Sequence, residues 1–351
     1  MSHALLDLPP FPDTGYAPLA DRIGRLLGTT QDVLLIQGEA VVALEAAATS
    51  LARPGFRVLN LVTSPYGALF GFWLKRGGAA VENLAAAGGL PVDVEAVATA
   101  LTSGRYDALA LVHAESATGI LNPLPEIAAL AKAHGALLIV DAVASLGGHG
   151  FAVDALGVDI AVIGPQKALG GSAGLSAIAL SPRAWDRILL PGGPQDSILS
   201  LADQKRLWLD RGRPALPGTP SSLEFWALQA ALDRVEAEGL GSIEQRHRRA
   251  ANAAHAGLAA LDLEPFVPFE RASRLVTTMR PPKGIEAFLA LPRELGLSRG
   301  VGRAGEALLR LNHTGPRADQ AAVSAMLEAV AAALGRAPDA VQTAVRAAWD
   351  A

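Results

Sequence analysis

Ala136-Leu137-Leu138-Ile139-Val140-Asp141 is the stretch of sequence that decides the fold. Its unbroken apolar run predicts a fully buried strand of a parallel sheet, closed by an acid. A second apolar run, residues 160–163, leads into Gly164-Pro165-Gln166-Lys167. Because ligands bind beyond the carboxyl ends of strands in open α/β sheets, Asp141 and Lys167 should reach the same edge. A carboxylate can keep a pyridine nitrogen protonated and an amine can condense with an aldehyde, so the pair suggests pyridoxal chemistry.

The pair alone also allows a plainer interpretation, in which Asp141 caps a short helix and Lys167 is a solvated loop lysine. The sequence pattern of the surrounding chain is therefore needed to choose between the two interpretations. Strand, turn and helix alternate up to about residue 180, which predicts a doubly wound, mostly parallel sheet. Strands are predicted at 33–36, 57–62, 108–112, 136–140, 160–163 and 175–180. Helices are predicted at 16–27, 40–51, 70–76, 94–102, 125–134, 201–209 and 223–238.

The chain beyond Gly239 has a different pattern, with three long helices and two short strands. The helices are expected at 243–261, 318–334 and 339–349, with a shorter one at 285–291, and the strands at 275–279 and 307–311. We therefore predict a large α/β domain, 13–239, and a small α+β domain, 240–351, after an irregular segment, 1–12.

Composition excludes several classes of protein. Half of the 351 residues are hydrophobic, and the net charge of -4 is spread without a basic stripe for nucleic acid. No apolar run approaches the length of a membrane span. There is no cysteine, which excludes disulfides, thiolate metal sites and persulfide chemistry. Residues 1–7 lack the pattern of a secretory signal, so we expect a cytoplasmic enzyme with neither a metal site nor a nucleic-acid or membrane partner.

Two turns at the predicted sheet edge could hold parts of a ligand. Gly38-Glu39-Ala40 joins the first strand to an alanine-rich helix, where free N–H groups and the helix dipole favour an anion. Tyr66 follows the second strand and is the aromatic residue best placed to stack on a planar ligand. It could equally pack on its own helix. A third turn, His113 to Gly119, follows the third strand and is polar.

Together these motifs resemble the class V aminotransferases of the alanine-glyoxylate and serine-pyruvate type. The resemblance runs from about residue 30 to 330, and the 26-residue spacing from Asp141 to Lys167 is that of the family. It implies a fold-type I pyridoxal-phosphate-dependent transferase with a large doubly wound domain and a smaller C-terminal domain, assembled as a homodimer or higher homo-oligomer. The matching segments are residues 113–119 with 122–123, 140–148, 164–170 with 174–175, 218–220 and 309–313.

The resemblance implies a role for each matched residue. Lys167 would be the Schiff-base lysine and Asp141 the partner of the ring nitrogen. Arg310 would receive the substrate carboxylate, since a planar guanidinium grips a carboxylate bidentately, although it could also be an exposed strand arginine. His113 is expected to pack beneath the loop rather than to transfer protons. The remaining implied ligand contacts are Tyr66 and Val143 on the two ring faces, Gln166 and Ser116 at the polar edge, and Thr219 near the phosphate.

Glu39 departs from the family pattern, in which small residues cradle the cofactor phosphate. A carboxylate there can satisfy the free N–H groups itself, and it would repel a phosphate by roughly 1 kcal/mol in water and about 4 at an intermediate dielectric. This favours vitamin B6 without its phosphate, unless Glu39 is an ordinary capping acid turned away from the ligand. The pyridoxamine-pyruvate branch of the family shares this trait and is similar over residues 38–39, 44–48, 58–61, 66–67, 70–73 and 75–76.

The preferred hypothesis is therefore an aminotransferase that converts pyridoxamine and pyruvate to pyridoxal and L-alanine, with no tightly bound cofactor. The alternatives are an aminotransferase that binds pyridoxal 5'-phosphate and acts on alanine, serine or glyoxylate, and a non-catalytic pyridoxal-binding protein. That branch has a second substrate arginine nine residues before the one matching Arg310. Here the position is Val301, and its neighbours Arg299 or Arg303 could take that role.

Overall fold

A seven-stranded sheet forms the centre of the molecule in the computed structural model, which describes residues 8–282, 284–301 and 307–351. Its strands are β1 (Asp32–Gln37), β2 (Arg57–Val62), β3 (Ala80–Ala85), β4 (Ala108–Val112), β5 (Leu137–Asp141), β6 (Ile160–Ile163) and β7 (Leu175–Leu180). They lie in the order β1-β7-β6-β5-β4-β2-β3. Only β7 runs antiparallel to its neighbours β1 and β6, so the predicted mostly parallel sheet is confirmed.

The helices of the described residues cover this sheet and build a second body beside it. They are α1 (Tyr16–Leu26), α2 (Ala40–Leu51), α3 (Pro65–Arg76), α4 (Val94–Ser103), α5 (Leu124–Ala133), α6 (Val153–Leu156), α7 (Pro182–Ile188), α8 (Leu201–Leu207), α9 (Ser222–Glu238), α10 (Leu240–Ala260), α11 (Glu286–Leu289), α12 (Gln320–Ala333) and α13 (Asp339–Asp350). A small antiparallel sheet, in the order β8-β10-β9, is formed by β8 (Thr277–Met279), β9 (Leu297–Arg299) and β10 (Leu309–Leu311). None of these helices combines the length and the apolar character that crossing a membrane requires.

The central strands form because their sequences are apolar at almost every position, with Asp141 at the end of β5 and Ser176 in β7 as the exceptions. β4, β5, β6 and β7 are buried from end to end, which suits strands covered on both faces by helices. Each large aliphatic side chain buried there contributes roughly 1.5–3 kcal/mol to folding. The polar residues that follow these strands are thereby held on a rigid edge.

Helix α10 contributes residues to two hydrophobic cores. The larger core surrounds the seven-stranded sheet and includes Ile243 of α10, whereas the smaller core includes Ala250 and Leu258 of the same helix. The proposed boundary after Gly239 falls at the turn between α9 and α10. Of the proposed irregular segment 1–12, residues 1–7 lie outside the described residues.

The structure corrects the sequence prediction at several strands and helices. Helix α3 begins at Pro65 rather than at 70, because the Ser64 hydroxyl accepts a hydrogen bond from the Tyr66 N–H and proline suits the first helical turn. Tyr66 therefore lies in a helix, not in a turn. Strand β3 was not predicted, because its half-exposed edge sequence Ala-Val-Glu-Asn-Leu-Ala has no apolar run. Helices α6 and α7 and strand β9 were also missed.

Candidate active site

A cavity opens at the carboxyl edge of the large sheet, where the turns after β1, β2, β4, β5 and β6 converge. Its empty volume is about 370 Å³, part of it open to solvent. Its lining includes seven residues singled out from the sequence, Glu39, Ala40, Tyr66, Ser116, Asp141, Val143 and Lys167. The other lining residues are small or aliphatic and make the walls apolar: Val41, Leu44, Val112, Ala114 and Ala144.

Asp141 and Lys167 bring opposite charges into this cavity under partial burial. Asp141 is 9% exposed, and its Oδ1 accepts a hydrogen bond from the Val143 N–H at 3.0 Å. Burial raises the pKa of Asp141 to about 6, although that N–H and Lys167 act in the opposite direction. Burial, and then the nearby Arg310, lower the pKa of Lys167. A protonated heterocycle that bears an aldehyde would suit this pair. Its positive ring nitrogen would pair with the Asp141 carboxylate, and its aldehyde would react with the deprotonated amine of Lys167.

Glu39 occupies the N-terminus of α2 and lines the cavity at the same time. Its Oε2 accepts from the Val41 N–H at 2.9 Å, and its Oε1 accepts from Gln166 Nε2 at 2.8 Å. Glu39 is thus a capping acid, but it is not turned away from the cavity. The free N–H groups and dipole of the helix are already matched by a negative charge, where a phosphate would otherwise be favoured.

Tyr66 and Ser116 form the wall that faces the small sheet. Burial raises the pKa of Tyr66. Arg310, on β10, donates from Nη1 to the carbonyl of Ser116 at 2.9 Å, so it lies at the rim although it does not line the cavity. Its Nε donates to Ser298 Oγ at 3.2 Å and to the Arg299 carbonyl at 3.0 Å. The guanidinium is half-buried and held on two sides, which is not the environment of a freely exposed strand arginine.

Other predicted site residues lie outside the cavity lining. Thr219 is exposed on the loop before α9. Arg299 forms an ion pair with Glu286 at 2.5 Å, and Arg303 lies outside the described residues. His113 is buried, with its ring 6.1 Å from that of Phe151 and stacked on it. Gly38 and Gln166 are adjacent to lining residues, and Gln166 acts through its bond to Glu39.

Gly315 is a site neighbour that sequence reasoning missed. Its φ is +59°, and a Cβ at this position would lie 2.8 Å from the backbone oxygen of Lys167. The Gly315 N–H donates to Nε2 of the buried His247 at 3.0 Å. A glycine before a proline signals a turn, but nothing in the sequence signals that this turn supports the Lys167 loop.

Sequence and structure comparisons agree on the family of this chain. A family model described as Aminotransferase class-V matches residues 19–281. Pyridoxamine--pyruvate transaminase of Mesorhizobium japonicum is 34% identical over 330 residues, covering 92% of this chain and 84% of that protein. The chain belongs to the class-V aminotransferases. As a class-V aminotransferase it is a transaminase, and the predicted family and enzyme class are confirmed.

Solved structures agree with the predicted fold of this class-V aminotransferase. The crystal structure of pyridoxamine-pyruvate aminotransferase from Mesorhizobium loti superposes with a TM-score of 0.89 at 33% identity, covering 96% of this chain and 89% of that one. Alanine--glyoxylate aminotransferase of Drosophila melanogaster is 32% identical over 81% of this chain and 75% of its own length. The predicted fold-type I architecture is confirmed.

Membership of the class-V aminotransferases implies pyridoxal 5'-phosphate, and the cavity fits one part of that molecule better than the other. The ring portion finds a buried carboxyl in Asp141, an amine in Lys167 and an aromatic wall in Tyr66. The phosphate portion would meet the carboxylate of Glu39 at the end of α2, already bonded through both oxygens. The residues therefore fit a B6 ring but not its phosphate group. In the described part of the chain, no three His, Asp or Glu side chains gather as a metal site would require.

Proposed function

We propose that this class-V aminotransferase transfers an amino group between unphosphorylated vitamin B6 and a keto acid, converting pyridoxamine and pyruvate reversibly to pyridoxal and L-alanine. The observation that carries the proposal is Glu39, which caps α2, lines the cavity and is held there by the Val41 N–H and by Gln166. The relative from Mesorhizobium japonicum, whose printed name specifies pyridoxamine and pyruvate, supports the same substrates.

The residues divide the work by position. When bound, the B6 ring withdraws electrons from the carbon that exchanges its proton. Lys167 is the amine that condenses with the aldehyde of pyridoxal, and its lowered pKa keeps more of it deprotonated for that step. When its Nζ is not bonded to pyridoxal, Lys167 can carry a proton between the two carbons that are joined through the reacting nitrogen. Asp141 holds the proton on the ring nitrogen, and Tyr66 and Val143 pack against the ring faces.

Arg310 is the proposed anchor for the keto acid. Its contacts with Ser298 and with the Ser116 carbonyl use Nε and Nη1, which fixes the plane of the guanidinium before substrate arrives. A preorganised guanidinium loses less side-chain entropy when it grips a carboxylate. Arg299, which pairs with Glu286, could assist only if that ion pair opens.

We further propose that the enzyme acts as a cytoplasmic homodimer. Three large apolar side chains support an association surface: Leu69 is 36%, Phe72 57% and Ile198 80% exposed. The exposed position of Thr219, outside the cavity of its own chain, is compatible with a role at such a surface. The absence of cysteine supports a cytoplasmic location. Sedimentation at several concentrations tests the dimer, and a monomer at all of them contradicts it.

A second candidate function is a pyridoxal-phosphate-dependent aminotransferase acting on alanine, serine or glyoxylate, which the similarity to a Drosophila alanine--glyoxylate aminotransferase favours. The two functions differ in what the purified enzyme carries. Tightly held pyridoxal phosphate, with turnover of alanine and glyoxylate, supports the second. A colourless protein that yellows with pyridoxal, and forms alanine from pyridoxamine and pyruvate, supports the first.

Glu39→Ser provides the sharpest test. Removing one like-charge contact should strengthen binding of pyridoxal phosphate by about fivefold to a thousandfold, the equivalent of roughly 1–4 kcal/mol, with pyridoxal affected far less. Absorbance titration with each vitamer gives both dissociation constants. Glu45→Gln is the matched control, because it removes a carboxylate from the same helix where Glu45 pairs with Arg76. A wild-type enzyme that prefers the phosphorylated vitamer would refute the proposal.

A further inference from the structure

Glu115 is a fully buried carboxyl that the proposed reaction does not use. It is 0% exposed and lies between Ala114 and Ser116, which both line the cavity. Its own turn is closed by its backbone, because the Glu115 N–H donates to Ile120 and its carbonyl accepts from Gly119. Burying an acid is costly, so a residue kept in this position needs a reason.

The Glu115 side chain connects two turns that come from different strands. Its Oε1 accepts from the hydroxyl of Thr63, at the end of β2, and that hydroxyl accepts from Asn122 Nδ2 at 2.9 Å. Asn122 Nδ2 also donates to the Val112 carbonyl at 2.7 Å, which fixes the amide against β4. Glu115, Thr63 and Asn122 thus form a hydrogen-bonded relay across the sheet edge.

The relay ends at two walls of the cavity. Thr63 directly precedes Ser64, whose hydroxyl caps α3 by accepting from the Tyr66 N–H at 3.2 Å. Glu115 directly precedes Ser116, whose carbonyl receives Arg310. Tyr66 lies in the first turn of α3 and Ser116 in the turn after β4, so the contacts between these two segments set the separation of the two walls. Glu115 and Thr63 provide a buried connection between these segments, behind the direct side-chain contact of Tyr66 with Ser116.

Glu115 enters this relay as a neutral acid. Burial raises the pKa of Glu115 to about 8, and the negative charge of Asp141 acts in the same direction, while Ser64 and Thr63 oppose it. At neutral pH the carboxyl therefore keeps its proton and adds no second negative charge beside Asp141. An amide of the same shape should replace a neutral carboxyl in such a network.

We propose that Glu115 is a positioning residue, which holds the Tyr66 and Ser116 walls at the spacing that a B6 ring needs through its hydrogen bond to Thr63. It touches no reacting atom and acts through α3 and the turn after β4. The inference rests on the proposed function only in taking this cavity as the ring site. It does not depend on which vitamer or keto acid is used.

The test compares dissociation constants for pyridoxal, read from absorbance at about pH 7, among variants of the full chain. Glu115→Ala and Thr63→Val, which break the same bond from its two ends, should each weaken binding by about threefold to tenfold. Glu115→Gln should restore binding to within about twofold of wild type, since it keeps an acceptor for Thr63. Thr49→Val is the control, because its buried hydroxyl has no partner among the described residues.

A double-mutant cycle separates positioning from a general loss of stability. If Glu115 acts through the Tyr66 wall, Glu115→Ala should not raise the dissociation constant for pyridoxal any further in a protein that already carries Tyr66→Ala. The proposal would be overturned if the fold-changes of the two single variants multiplied in the double variant. It would also be overturned if Glu115→Gln bound pyridoxal as weakly as Glu115→Ala. Should Glu115→Ala fail to fold, Thr63→Val carries the cycle alone. The titrations are repeated with pyridoxal phosphate. The proposed function predicts which vitamer binds more tightly, whereas the role of Glu115 predicts the fold-changes among the variants, so the two proposals can fail separately.

Discussion

At the scale of one residue, the burial of Asp141 determines how the proposed ring site should respond to pH. Burial raises its pKa to about 6, so the free site has a neutral carboxyl below that pH and a carboxylate above it. Only the carboxylate can pair with a ring nitrogen that carries a proton. The apolar lining therefore makes Asp141 dependent on its ligand for a counter-charge.

Binding of pyridoxal should accordingly weaken as the pH falls through about 6, by roughly tenfold per pH unit below it, because the proton on Asp141 has to leave first. Absorbance titrations over that range measure the effect. Asp141→Asn should bind more weakly and lose this dependence, whereas Glu95→Gln, on the distant helix α4, should keep it. An unchanged profile in Asp141→Asn would assign the titration to another group.

Among the strands and helices, the turn between β10 and α12 supports the Lys167 loop. Gly315 adopts a left-handed conformation and approaches the Lys167 carbonyl so closely that a methyl group at its Cα would lie 2.8 Å from that oxygen. Helix α10 holds the other side of this turn through His247. The small body thus touches the backbone of Lys167 directly.

Gly315→Ala should therefore lower kcat by about a hundredfold, since small displacements of a reacting group cost that much. It should also lower the free energy of unfolding by about 1–3 kcal/mol. Gly335→Ala is the matched control: its φ is +72° and a Cβ there meets nothing within 4 Å, so it should lose stability but not activity. Steady-state kinetics and denaturant unfolding measure the two effects, and equal kcat values for both variants would disprove the contact's role.

Strands and helices that form from local sequence signals could be predicted, whereas features that depend on contacts between distant residues could not. Apolar runs such as β5 and β6 were predicted because the signal is local, and so was the meeting of Asp141 and Lys167 at one edge. The half-exposed strand β3 gave no such signal. Glu39 could be predicted as an anion at a helix start, but its bond to Gln166, 127 residues away, could not. The same holds for Gly315 and for the relay of Glu115, which exist only through long-range packing.

At the scale of the whole molecule, buried titratable groups set the pH range in which the fold is stable. Burial lowers the pKa of His113, His247 and His255 to about 4 and that of His313 to about 3. A histidine with a lowered folded pKa contributes stability above its unfolded value near 6.5 that is lost as the pH falls through the folded value. Glu115 behaves in the opposite way, because its folded pKa is raised to about 8. Its contribution is present below about 4.5 and is lost as the pH rises through 8.

The free energy of unfolding should therefore be greatest near pH 6.5. It should fall more steeply on the acid side, because the histidines with lowered pKa values outnumber the two acids with raised pKa values, Glu115 and Asp141. Urea unfolding at a series of pH values measures the curve. Glu115→Gln should flatten the alkaline limb and steepen the acid limb above about pH 4.5, because Glu115 opposes the histidines in that range. A steeper alkaline limb in wild type, or an unchanged one in Glu115→Gln, would contradict this assignment.

The sheet order also sets the sequence of events in which the cavity is completed. Strand β1, which Glu39 follows by two residues, is an edge strand whose neighbour is β7, with Asp32 opposite Leu180. During synthesis β1 emerges early but has no place in the sheet until residue 180 has been made, and such distant pairing is slow. By then β2, β4, β5 and β6 can already have paired. We therefore expect Glu39 to reach its place beside the cavity only after the turns that carry Tyr66 and Asp141 have been positioned.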